Sequence, residues 1–166
     1  RQRSMRAVFD HSWNLLTEGQ RAGFQALSIF RGGFTREAAP RVTGASLREL
    51  KGLVDRSLVQ WMPIGLYEMH ELLRQHTAEK LERAADARET VGDRHCAYYI
   101  NILGRWESGQ KGAQQSALLA EMDLDIENAR AAWDWAAARA QADRLGRGVD
   151  GLCSYYLSRV GNYREC

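Results

Sequence analysis

Cysteine is scarce in this chain of 166 residues. Cys96, Cys153 and Cys166 are the only three, and no C-x-x-C spacing occurs among them. An odd count without paired spacing argues against a disulfide framework and against a thiolate zinc site, and leaves reduced thiols. Long hydrophobic runs are also missing: none approaches the roughly 20 residues that span a bilayer. No signal peptide opens the chain, so no membrane partner is expected and the expected location is cytoplasmic. Charge of one sign is lacking too. Lys and Arg number 23 against 21 Asp and Glu, for a net +2. Residues 1–82 carry 12 basic and 9 acidic side chains, and residues 83–166 carry 11 and 12. Neither half has the field of a dedicated nucleic-acid module. Catalytic signatures are absent as well. No G-x-x-x-x-G-K-[ST] phosphate loop occurs, and His70-Glu71 runs into Leu72-Leu73-Arg74 instead of completing H-E-x-x-H. His11, His76 and His95 have no carboxylate or cysteine at metal-ligand spacing, and no serine or cysteine sits in a nucleophile elbow. The chain is therefore read as no enzyme, with no catalytic residue and no metal site.

What is present is helical punctuation. Met5, Val8, Phe9, Ser12, Trp13 and Leu16 form one stripe and predict a helix over 4–16. Thr17 and Gln20 form a capping box for a second helix that buries Phe24, Leu27 and Phe30 and stops at Gly32-Gly33. Phe34-Thr35 opens a predicted third helix, with Thr35 as its N-cap, shortened or kinked by Pro40. Ser46 and Glu49 form a second capping box, opening a fourth helix with Leu47, Leu50, Leu53 and Val54 inward. Two strands follow, 58–62 and 66–69, joined by a Pro63-Ile64-Gly65 turn. A helix over 70–81 then turns Leu72, Leu73 and Leu81 inward.

The rest is purely helical. Ala84–Arg88 is the expected boundary. Val91, His95, Tyr98, Tyr99, Ile102 and Trp106 form one long stripe, and Gly109 and Gly112 bound a loop. Leu119, Met122, Ile126, Ala129, Trp133 and Ala136 form a second stripe, and Leu145, Val149, Leu152 and Tyr156 a third. Trp135 and Tyr155 fall off these stripes. Core or repeat-contact roles are expected for them ahead of lining a sensor groove. Paired antiparallel helices of this kind build α-solenoids.

Several segments, in order, resemble one family. Arg3–Trp13 resembles the opening helix of the winged-helix module in bacterial STAND-type (NB-ARC-like) signal-transduction regulators. Leu27-Ser28-Ile29-Phe30-Arg31-Gly32-Gly33-Phe34-Thr35 resembles its second-helix exit, and Leu53–Val59 its helix-to-wing junction. Met69-His70-Glu71 resembles the Met-His-Asp motif that reads the bound nucleotide, with Glu71 where many relatives carry Asp. Asp125–Ala136 resembles the helix that introduces the tetratricopeptide-like (TPR-like) sensor, and Gly161-Asn162-Tyr163 a turn inside its first repeat. The resemblance implies a mainly α fold: a winged helix with a small two-stranded hairpin over 1–82, then antiparallel TPR-like hairpins over 83–166. It implies a regulatory piece of a longer polypeptide, with both chain ends read as cuts. The nucleotide-binding domain would lie upstream, with ADP or ATP bound there and not in this fragment. An unidentified inducer or protein partner would act on the helical repeats.

Two residue sets carry the functional expectations. His70, at a strand-to-helix junction, is the candidate contact to a nucleotide diphosphate, because helix N-termini and imidazolium groups both suit phosphate. Arg48, Lys51 and Arg56, on the fourth helix, are the alternative DNA-binding set. Glu49 and Asp55 share that helix and leave a local sum of +1, so DNA binding by this fragment is not expected. The alternatives to the nucleotide switch are a DNA-binding winged-helix transcriptional regulator with a helical dimerisation tail, and a protein-interaction scaffold.

Overall fold

Among the described residues, short helices run into a hairpin, and a twelve-residue helix and three longer ones follow. The computed structural model describes residues 12–109 and 115–162. Its helices are α1 (Glu18–Leu27), α2 (Ala38–Thr43), α3 (Leu47–Asp55), α4 (Glu71–Glu82), α5 (Ala85–Gly109), α6 (Gln115–Ala138) and α7 (Ala142–Asn162). Strands β1 (Gln60–Trp61) and β2 (Tyr67–Glu68) lie between α3 and α4. The fold is mainly α with a small antiparallel hairpin, as the sequence predicts. Most of the expected helix over 4–16 lies outside the described residues, as do Gly112 and Tyr163. Residues 12–14 are helical. The chain divides into two compact units, Arg1–Val91 and Gly92–Cys166.

In the first unit α1 is central and packs on α2, α3 and α4. Both predicted capping boxes form: the side chains of Thr17 and Ser46 accept from the amides of Gln20 and Glu49, whose side chains reach back. Each cap contributes roughly 1 kcal/mol. Phe24, Leu27, Phe30, Phe34, Val42, Leu53 and Val59 fill the core, and burial of each contributes roughly 1.5–3 kcal/mol. Thr35 accepts from the amide of Ala38 at 3.0 Å, so it caps a turn that leads into α2. Pro40 sits in the first turn of α2, where its missing N–H costs nothing. The helix ends instead at Gly44, whose φ of 75° is left-handed.

The hairpin pairs Gln60 with Glu68 and Trp61 with Tyr67. It is shorter than the predicted strands, because Leu58 and Val59 turn into the core. Tyr67 also exchanges backbone hydrogen bonds with Phe34, at 2.9 and 2.8 Å. Phe34 therefore bridges to the hairpin instead of opening a helix. Gly65, with φ 86°, closes the turn.

Two further expectations about inward faces are corrected. Leu72 is 41% exposed, while Thr77 and Leu81 are buried. At about 100° per residue, Leu72 lies roughly half a turn from Leu81 and cannot share its face. In α7, Val149 and Tyr156 are exposed. The face packed on α5 is instead Gly148, Gly151 and Tyr155, against Ile100, Leu103 and Trp106.

In the second unit α5 and α6 run antiparallel, with Gly92 against Trp135 and His95 beside Asn128. Of the predicted stripe of α5, His95, Tyr99, Ile102 and Trp106 are buried, and Tyr98 is half-buried. Asp123 of α6 receives the hydroxyl of Tyr155 at 2.8 Å and the guanidinium of Arg159, both from α7. Trp135 donates to Asp93 at 3.1 Å, and Arg144 reaches the same carboxylate oxygen at 2.9 Å. Trp135 and Tyr155 are thus helix-contact residues. Gly161 and Asn162 continue α7 instead of forming the turn their resemblance implies.

Candidate functional site: the hairpin-to-helix junction and the face of α3

The chain leaves β2 through Met69, which is buried, and His70, which is exposed. Met69 is held in the core, where the hydroxyl of Thr77 points at its sulfur at 3.6 Å. His70 takes φ −56° and ψ 134° and becomes the N-cap of α4. Its Nδ1 accepts from the amide of Leu72 at 3.2 Å. Its carbonyl accepts from Leu73 at 2.9 Å and from Arg74 at 3.0 Å. Three amides of the first turn are thereby engaged, and the terminus is not the open set of donors that the sequence suggests. With Nδ1 accepting, the proton of a neutral ring sits on Nε2. That edge can donate one hydrogen bond to an acceptor in solution.

Glu71 does not join the cap. Its carboxylate is clamped by Arg74 through two hydrogen bonds of 2.7 Å and accepts from Gln75 at 2.8 Å. The Arg74 hydrogen bonds, with smaller help from Gln75 and the charge of Arg31, hold its pKa down at about 2. Arg74 also reaches the carbonyl of Ser28 at 3.5 Å, tying α4 to the end of α1. Burial and the charge of Arg74 lower the pKa of Arg31. His70 therefore precedes Glu71, whose carboxylate is gathered with Arg74 and Arg31, two guanidinium groups that the sequence did not single out.

On α3 the three sequence-predicted cations are all exposed but differ in company. Lys51 pairs with Asp55 at 2.6 Å. Arg56 donates to the carbonyl of Gly52 at 3.0 Å. The Arg48 side chain makes no hydrogen bond or ion pair among the described residues. Glu49 is folded back onto Ser46, at 2.6 Å from its amide. The structure thus places Arg48 and Lys51 on α3, puts Arg56 just past its end as the C-cap instead of on the helix as expected, and keeps His70 at a separate junction.

Beside α3 lies a groove of about 270 Å³ lined by Leu47, Lys51 and Val54, by Trp61 and Tyr67 of the hairpin, and by Arg36. Leu47 and Val54 share a helical stripe as predicted, but that stripe faces this groove, so Leu47 is 42% exposed. Periodicity within α3 does not show that a hairpin tryptophan will stand opposite.

In the second unit the buried polar groups hold helices together. His95 Nε2 lies 3.3 Å from Asn128 Oδ1. Cys96 is buried 3.3 Å from the carbonyl of Ala132, and burial pushes its thiol pKa up, away from reactivity. Burial raises Asp125 to about 6. Among the described residues no three His, Cys, Asp or Glu side chains come together as a metal site, and no helix is long and apolar enough to cross a membrane.

Over 145 aligned positions the chain is 33% identical to a protein of Mycobacterium bovis and to counterparts in two strains of Mycobacterium tuberculosis. All three are provisionally named HTH-type transcriptional regulators. The match takes in 81% of this chain but 16% of each relative. The chain is thus similar to a minor segment of much longer proteins. No family model and no solved structure matches it.

Proposed function

We propose that this chain is a winged-helix and helical-hairpin segment of a transcriptional regulator. The observation that carries this reading is its similarity to the mycobacterial proteins of that name. The order of helices, hairpin and helix in the first unit is consistent with it. That name speaks more directly for the DNA-binding alternative than for the nucleotide switch. In a DNA-binding winged helix, α3 is the element that enters the groove, and it presents Arg48 and Lys51, with Arg56 at its C-cap. Lys51 is shared with Asp55 and Arg56 with a backbone carbonyl. Contact is therefore expected to be with the phosphate backbone, in the non-specific range of about 10⁻⁴–10⁻⁶ M. A duplex titration tests this: replacing all three cations by alanine should abolish binding, and equal binding by the triple variant would refute the assignment.

The STAND-type reading is the second proposal, and the geometry of His70 is what favours it. Its ring is held by the cap, its residue is exposed, and the neighbouring Glu71 is already engaged by Arg74. In this reading the longer protein carries a nucleotide-binding domain, and His70 donates to the diphosphate of ADP. The TPR-like hairpins would transmit an inducer's binding as a change in that affinity. A charge-assisted hydrogen bond of this kind is worth roughly 1.5–3 kcal/mol. His70→Ala should weaken ADP binding by the longer protein about tenfold or more. Unchanged affinity would end this reading and leave the first intact.

A further inference from the structure

The groove between α3 and the hairpin combines features that DNA does not call for. Trp61, 57% exposed, and Leu47, 42% exposed, both line it. Val54 and Tyr67 line it as well. Phosphate gains little from a surface of this kind, whereas tryptophan in an apolar recess beside arginine is characteristic of protein interfaces. The charge of the lining has one sign. Arg36 and Lys51 are its charged residues, and no carboxylate lines it. Arg36 makes no hydrogen bond or ion pair among the described residues. The partner of Lys51, Asp55, lies outside the lining, and both members of that pair are largely solvent-exposed. Such pairs exchange at little cost.

We propose that this groove docks an amphipathic helix of a partner protein, with apolar side chains seated between Trp61 and Leu47 and carboxylates meeting Arg36 and Lys51. The groove's dimensions suit a helix. α3 runs nine residues, about 14 Å, which matches two to three turns of an occupant with anchors at i, i+3 or i+4, and i+7. Strand addition is disfavoured because β1 offers only two residues of sheet edge. The inference is independent of the nucleotide-switch reading, but it shares Lys51 with the DNA-contact reading and competes with it for this face.

The test is a titration of the isotope-labelled chain, followed by nuclear magnetic resonance, with a synthetic helical peptide of about 18 residues. The peptide carries a leucine stripe flanked by glutamates, and its twin carries lysines in place of the glutamates. Saturable shifts should appear at the Trp61 indole and at Arg36, Leu47, Val54 and Tyr67. The lysine-flanked twin should bind at least about tenfold more weakly. Trp61→Ala should lose a similar factor. The double variant Arg36→Glu, Lys51→Glu should reverse the preference between the two peptides. These positions are on the surface, and circular dichroism of each variant checks that it folds. No saturable binding, or equal affinity for the two peptides, would overturn the proposal. So would shifts that map away from the groove. Loss of peptide binding in the longer protein would assign the groove to an internal helix instead of a separate partner. Self-association of the chain that displaces the peptide would assign it to a second copy. Short duplex DNA shifting the same residues in place of the peptide would overturn docking and support the DNA reading.

Discussion

Replacing Gly151 by alanine would put a methyl carbon 2.0 Å from the carbonyl oxygen of Leu103 and 2.7 Å from its carbonyl carbon. Both are backbone atoms of α5, so no side-chain rotation relieves the overlap. α7 must withdraw by more than an ångström before the contact becomes ordinary. That withdrawal loosens Tyr155 from Trp106, whose rings lie 6.3 Å apart. Overpacking of this kind costs about 1–3 kcal/mol. Alanine returns up to about 1 kcal/mol of helix propensity, leaving a net loss of up to about 2 kcal/mol. Gly146 provides the control on the same helix. A Cβ there meets no atom within 4 Å, so Gly146→Ala should stabilise by about 0.5–1 kcal/mol. Urea unfolding followed by far-ultraviolet circular dichroism reads both shifts. The two substitutions should move the midpoint in opposite directions. Equal or same-sign shifts would refute the close α5–α7 approach.

Asp125 carries a pH dependence of defined sign. Burial raises its pKa to about 6, so the folded chain holds a proton that the unfolded chain has already released. Its favourable contribution is complete below about pH 4 and is lost as pH rises to about 6, a change on the order of 3 kcal/mol. Asp125→Asn should flatten that part of the stability profile, and an unchanged profile would refute the burial argument. Ser46→Ala removes one side of the α3 capping box and should cost about 1 kcal/mol in the same unfolding assay, while Ser46→Thr should retain most of it.

Local chemistry made part of this fold legible. The two capping boxes depend on residues three apart, so Thr17 with Gln20 and Ser46 with Glu49 announce their helices without tertiary information. The Pro63-Ile64-Gly65 turn does the same for the hairpin. The face of α7 was hidden because Gly148 and Gly151 pack by having no side chain, and a search for apolar stripes selects Val149 and Tyr156 instead. Phe34 was read as a helix opener because its bridge to Tyr67 spans 33 positions. At the junction, the placement of His70 as the opening residue of α4 was legible from the strand-to-helix change. The engagement of its amides and the clamping of Glu71 by Arg74 depend on rotamers that spacing does not specify. The groove was out of reach for a further reason: Trp61 and Leu47 become neighbours only when the hairpin folds beside α3.

The most direct test of the proposed function is the salt dependence of duplex binding by this chain, followed by fluorescence anisotropy. Contact through Arg48, Lys51 and Arg56 neutralises about three phosphates. The logarithm of the binding constant should then fall against the logarithm of salt concentration with a slope of about −2.7. Replacing Arg48 alone by alanine should reduce the slope by about 0.9. Absence of binding at low salt, or a slope indifferent to that substitution, would contradict the assignment of α3 as a DNA-contacting helix.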